Sequence, residues 1–128
     1  MFTDAEVLFL EEHGRGRLTT LGADGAPQIH PVMFIVDAAS PSLDIVGENL
    51  RDAQKYHNVR RDPRVTLTVD DPALPLSGVD DREIGRGLRI RGLAELTQAA
   101  GWDVICVRPV RLDVWNLVSV GHRCRFFA

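Results

Sequence analysis

In this 128-residue chain the links between strand-like runs are too short for most ways of building a sheet. Runs rich in β-branched and other apolar residues fall at 17–21, 28–37, 42–47, 64–70, 88–96 and 103–117. Parallel neighbours need a crossover of a dozen or more residues, whereas antiparallel neighbours need only a tight turn. Most of the gaps here hold a turn's worth of residues, which excludes a doubly wound parallel sheet. The expectation is a single domain over 1–128, mainly β, built as a closed or nearly closed six-stranded antiparallel barrel with two short helices.

Local signals fill in this frame. Thr3 and Glu6 stand at capping-box spacing, and the apolar positions after them predict a short helix that ends near Gly14 and covers one end of the barrel. The runs from Arg17 and from Gln28 flank Gly22-Ala23-Asp24-Gly25, a hairpin with an Asp-Gly turn. Pro31 cannot donate to a ladder, so its place must be an edge, a bulge or an opening. A turn at Ala39-Ser40-Pro41 leads into the third run. From Arg64 to Asp70, Val65, Leu67 and Val69 alternate with polar residues, the pattern of a half-buried strand. Residues 71–84 read as a long irregular loop, of a size used both for lids and for solvated connections. A fifth strand runs on to Leu96; Thr97 to Gly101 interrupts; a long sixth strand over 103–117 bends at Pro109.

Composition removes several function classes. With 45% hydrophobic and 26% charged residues the chain is that of a soluble globular protein, and no apolar run is long enough to span a bilayer, so the cytoplasm is the expected location and no membrane partner is expected. A net charge of −3 argues against nucleic acid as a partner. Cys106 and Cys124 lack a C-x-x-C or Cys/His setting and read as free thiols. Asp70-Asp71 and Asp80-Asp81 with Glu83 match no calcium loop and read as solvated charges, so no metal is expected. There is no G-x-S-x-G and no nucleophile–base pair at a usable spacing, so no residue is assigned as catalytic.

Gly47 to Val65 is the densest polar stretch and holds the only lysine, Lys55. Asn49 is a candidate N-cap with Asp52 at N3, and Pro63 stops the helix after Asp62. Leu50, Ala53, Tyr56 and Val59 fall on one side, which leaves Arg51, Gln54, Lys55, Asn58 and Arg61 to solvent or to a ligand. Free N–H groups at a helix start, beside Arg51, Gln54 and Lys55, make an anion site, with phosphate the obvious anion. The alternative is an ordinary amphipathic surface helix.

This stretch resembles the flavin-phosphate segment of the pyridoxamine 5'-phosphate oxidase-like superfamily, whose pattern runs roughly T-N-x-x-S-R-K and then N-P-R-V. The lysine falls on Lys55 and the last four residues on Asp62, Pro63, Arg64 and Val65, while Asn49, Ala53 and Gln54 depart from the pattern. A-P-Q-I-H-P-V-M-F, residues 26–34, is similar to the family's second strand, and V-R-P-V-R-L-D-V-W-N-L to its P-x-x-V-E-F-W-Q-G signature. The resemblance implies a Greek-key split barrel that pairs into a homodimer with cofactors in the grooves between subunits. It also implies that His30 reaches the phosphate and that Gln28, Pro31, Val32 and Met33 lie along the ring. Lys55 with Asn49, Arg51, Gln54 and Asn58 would hold the phosphate end, and Trp115 would wall the cofactor. Arg123 and Arg125 would stand for the family's C-terminal arginine tail.

The function implied is that of an oxidoreductase in which the cofactor carries hydride to or from a small organic substrate. The opening R-G-R-L-T-T-L-G-A-D-G-A-P-Q and R-R-D-P-R-V look most like the branch that uses the deazaflavin coenzyme F-420, with flavin mononucleotide (FMN) the alternative. Arg51, Arg60, Arg123 and Arg125 suit the spread negative charge of the F-420 glutamate tail. A non-catalytic cofactor-binding protein is the reading from another class.

Overall fold

The computed structural model describes residues 1–73 and 85–127. Helix α1, Asp4–His13, opens on the capping box that the sequence shows: the Glu6 N–H donates to Thr3 Oγ1 at 3.2 Å and the Thr3 N–H to Glu6 Oε1 at 2.9 Å. Gly14 ends it in the left-handed region, φ 64°, where glycine carries no Cβ penalty. Strands β1 (Arg15–Leu21) and β2 (Pro27–Asp37) form the expected hairpin, and Gly25 takes φ +81° in its turn. β3 (Ser42–Val46) follows, then a 3-10 turn over Leu50–Asp52, α2 (Gln54–Arg61) and β4 (Arg64–Asp71). The chain closes with β5 (Arg86–Ala99), β6 (Trp102–Trp115) and β7 (His122–Phe126).

All pairings are antiparallel, in the order β3-β2-β1-β4-β5-β6-β7, and β3 also pairs with β6. That last pairing closes six strands into a barrel and leaves β7 outside, on the free edge of β6. One row of facing residues shows how the core is made: Leu18, Leu67, Ile90 and Leu112 pair in turn across four strands and all are fully buried. Phe9 and Leu10 of α1 and Leu50, Tyr56 and Val59 before β4 join the same core.

Several expectations need correcting. Thr97 to Gly101 is no interruption: β5 continues to Ala99, and Ala100-Gly101, both at positive φ (50° and 82°), turn directly into β6. His122 to Phe126 is a seventh strand rather than a tail, paired with β6 from Trp115 to Arg111. Pro109 does mark an irregularity, for the β5–β6 register shifts beside Gly92. Asp71 belongs to β4 and not to a loop, and Asp70 and Asp71 are ion-paired rather than merely solvated: Asp70 with Arg17 at 2.8 Å, Asp71 with His13 at 3.2 Å and Arg86 at 3.4 Å. Asp80, Asp81 and Glu83 lie outside the described residues. Both cysteines are free, Cys106 buried and Cys124 exposed. Among the described residues no helix is long and apolar enough to cross a membrane.

The two ends of the chain are knitted together. Arg125 donates to both carboxylate oxygens of Glu6 and, at 2.8 Å, to the Met1 carbonyl, and the Phe2 and Phe127 rings meet edge to face at 5.4 Å.

Candidate cofactor site

Strand β2 sets the site by its alternation. Gln28, His30, Val32 and Phe34 turn inward, while Ile29, Pro31, Met33 and Ile35 stand outside and exposed. The Val32 side chain is buried in the core and that of Met33 is exposed, so of the two only Met33 offers a side chain on the outer face and Val32 offers backbone. Pro31 pairs only with Arg17, because β3 joins the other edge of β2 from Met33 onward. The ladder is therefore open along residues 27–32, an edge of the kind that a proline there requires.

His30 faces Leu18 across the β1–β2 ladder and so heads the apolar row described above. Its Nε2 is buried with no hydrogen-bond partner among the described residues. Burial first, and then the charge of Lys55, hold its pKa below the ordinary 6.5. The fold thus brings together, from residues 25 positions apart, a neutral imidazole with an unused nitrogen and the chain's only lysine. Lys55 is the second residue of α2, half-buried, and has no hydrogen bond or ion pair among the described residues. A buried orphan nitrogen and an unpaired cation beside a helix start fit a phosphate oxygen.

The helix begins later than the sequence suggested. Asn49 is not its N-cap: it lies in the left-handed region, φ 54° and ψ 39°, makes no capping bond, and precedes the separate 3-10 turn. Asparagine is one of the few side chains that tolerate this conformation, which competes with capping. Ala53 takes the N-cap position of α2, so Asp52 is not at N3.

Asn58 is not available to a ligand. It is fully buried, donates from Nδ2 to Thr20 Oγ1 (2.9 Å) and Gln28 Oε1 (2.8 Å), and accepts at Oδ1 from Gln54 (2.8 Å) and Arg61 (3.0 Å). Two donors and two acceptors are all that a carboxamide has, so Asn58 pins α2 and Gln54 to the strands below with nothing left over. Thr20, which the sequence reading missed, carries a signal in hindsight: it repeats the inward parity of Leu18 yet is polar. Arg51 turns away from Lys55 to Asp103 at 2.9 Å, and Arg60 lies over the Tyr56 ring at 5.2 Å.

Trp115, Arg123 and Arg125 do not reach this place. The α2 end of the barrel is marked by Arg64, which pairs with Leu93, and Leu93 with Arg108; Trp115 pairs with Gly87 and His122, roughly 20 Å further along β6. Trp115 packs on the outer face over Gly87, with the Arg89 guanidinium 5.8 Å from its ring. Arg125 is committed to Glu6, and only Arg123 stays exposed without a partner among the described residues.

Residues 2–111 match the family model described as pyridoxamine 5'-phosphate oxidase. The chain belongs to this family. A pyridoxamine 5'-phosphate oxidase-type barrel therefore accounts for the closed six strands. Among curated proteins the chain is 32% identical, over 97% of its own length and 92% of the relative's, to a 5a,11a-dehydrotetracycline/5a,11a-dehydrooxytetracycline reductase of Streptomyces rimosus. A solved F420 reductase superposes with a TM-score of 0.59 at 25% identity, covering 82% of this chain and 93% of that one. A heme binding protein of Mycobacterium smegmatis gives 0.68 at 16% identity, with 98% of this chain on 59% of the other, a likeness of fold alone.

Proposed function

We propose that this oxidoreductase of the pyridoxamine 5'-phosphate oxidase family binds coenzyme F-420 and transfers hydride between it and a small organic substrate, acting in the cytoplasm as a homodimer. The reading is carried by Lys55 set beside the unpartnered Nε2 of His30 at the start of α2. When bound, the deazaflavin supplies the hydride chemistry; the chain binds, orients and shields it. Lys55, His30 and the first N–H groups of α2 would hold the phosphate, with the open edge at Pro31 and the Met33 side chain toward the ring.

F-420 is preferred over FMN on charge. Its phosphodiester carries one negative charge and the phosphate of FMN carries two, whereas the site offers one ammonium, one neutral imidazole and a helix start. Arg51 is spent on Asp103, and Gln54 is tied to Asn58. The likeness to a solved F420 reductase supports the same choice, and the reductase relative supports the redox activity. Of the arginines that could follow the glutamate tail, Arg51, Arg60 and Arg125 are engaged, so that role narrows to Arg123. Arg123 and Trp115 would come from a second subunit, since they lie at the far end of their own barrel; the exposed Ile29 and Met33 give that subunit an apolar face. Sedimentation at micromolar concentration should therefore show a dimer, and a monomer sinks the shared groove.

Titration of the purified protein with F-420 and FMN, followed by turnover assays, tests the assignment. Lys55→Ala is expected to weaken F-420 binding by about 1.5–3 kcal/mol, roughly ten- to a hundredfold, with no loss of folded protein. The charge count requires His30 to stay neutral when F-420 binds, so binding should take up no proton; calorimetry in buffers of different ionisation enthalpy reads that directly. Tighter binding of FMN than F-420 replaces the cofactor, and tight binding without turnover on any acceptor turns the enzyme into a carrier.

A further inference from the structure

A cavity of about 400 Å³ lies between the outer face of β2, the end of β3 and the β5–β6 turn, and none of the residues assigned above to the cofactor lines it. Its wall is apolar, made by Ile35, Val46, Val104 and Trp102; Ile35 and Trp102 are 62% and 65% exposed. Its rim is acidic, made by Asp44, Glu48 and Asp103. Two cations stand near, and both are engaged: Arg51 with Asp103 at 2.9 Å, and Arg108, the neighbour of Asp44, with Glu95 at 3.3 Å. Glu48 has no hydrogen bond or ion pair among the described residues, and Asp44 has the Cys106 thiol and the Arg108 guanidinium near it, the latter already bonded to Glu95.

An exposed indole over an apolar floor, ringed by more carboxylate than guanidinium, is complementary to one kind of guest. A flat apolar body buries against Ile35 and Val104, and a positive end gains both from the indole face and from Glu48 and Asp44. An anion of the same shape meets repulsion at the same rim. The cavity begins at Ile35, where the outer stripe of Met33 and Pro31 ends, and Gly47 and Glu48 lead into the turn before α2, so it adjoins the cofactor site.

We propose that this cavity binds a small, flat organic cation, an amine or quaternary ammonium on a ring system, and that this is the charge class of the hydride acceptor. The second clause rests on the cofactor reading above.

The test is calorimetric titration of the full chain, without cofactor, with 2-naphthylmethylammonium, 2-naphthylmethanol and 2-naphthoate at low salt. The ammonium should bind at least tenfold tighter than the alcohol, and the carboxylate more weakly than either. The double variant Asp44→Asn/Glu48→Gln should erase that order, and Trp102→Ala should weaken all three, while F-420 affinity holds in both. Equal binding of the three, preference for naphthoate, no binding at all, or an order unchanged in the double variant overturns the cavity. If the ammonium binds as described but F-420 does not, the cavity stands and only the acceptor clause falls with the cofactor reading.

Discussion

Asn58→Leu is expected to destabilise the protein by about 2–4 kcal/mol and to lower its melting temperature by roughly 10 °C. The leucine keeps the heavy-atom count and the branch at Cγ, and its bulkier methyl groups add some overpacking to the polar loss. What is lost is the hub of four hydrogen bonds, and two partners then have nowhere else to go: Thr20 is fully buried and Gln28 half-buried beneath α2. Gln54 and Arg61 are exposed and recover water, so they add little. Urea unfolding with an unchanged slope reads the effect, and Thr20→Val in the same chain should return part of it, because one orphan is removed. A variant as stable as the parent would show that the hub is only decorative.

Asp113→Asn should cost about 2–3 kcal/mol at neutral pH, and the loss should vanish in acid. The Asp113 carboxylate is 1% exposed on the outer face of β6, where Arg111 donates to it at 3.0 Å and His122 lies at 3.0 Å. Burial alone would raise its pKa, but the hydrogen bonds from Arg111 and His122 and the charges of Arg111 and Arg89 outweigh burial and hold it below the ordinary value. Breaking a fully buried pair costs about 3–5 kcal/mol; the lower range applies because Arg111 and His122 are 32% and 38% exposed. A depressed carboxylate stabilises the fold fully above its unfolded pKa, near 3.9, and ceases to do so as pH falls through its folded value. Parent and variant should therefore differ at pH 7 and draw together as pH falls below the ordinary carboxylate range, through the lowered value of Asp113. A gap that stays constant throughout the acid titration would mean that shape, not charge, holds this site.

Features that depend on a few neighbouring residues were legible in the sequence. The Thr3–Glu6 box, the Gly14 stop, the Asp24-Gly25 turn and the alternation of Val65, Leu67 and Val69 each follow from local geometry, and the structure has them all. So was the meeting of His30 with Lys55, though only through the family pattern. Polar residues that the tertiary fold turns inward were not legible. Asn58 was assigned to the open side because it is polar, yet α2 is a wedge covered on two sides, by β1 and by β5, and a short helix with two covered sides must bury part of its polar half. Asp113 is buried on the outside of a barrel, which no period-two rule describes. β7 gave only five residues with two arginines and an exposed phenylalanine, too polar to read as a strand until β6 offers it an edge.

The tie between Glu6 and Arg125 has a bearing on how the protein is made. The two residues are separated by 119 positions, so during synthesis at about 5–20 residues per second Glu6 waits on the order of ten seconds for the guanidinium that completes it. Through that interval α1 has its own capping box but neither the partner of its buried carboxylate nor the ring of Phe127 against Phe2. Helix α1 is thus made early and fastened late, and until then the barrel end it covers stays open to chaperones.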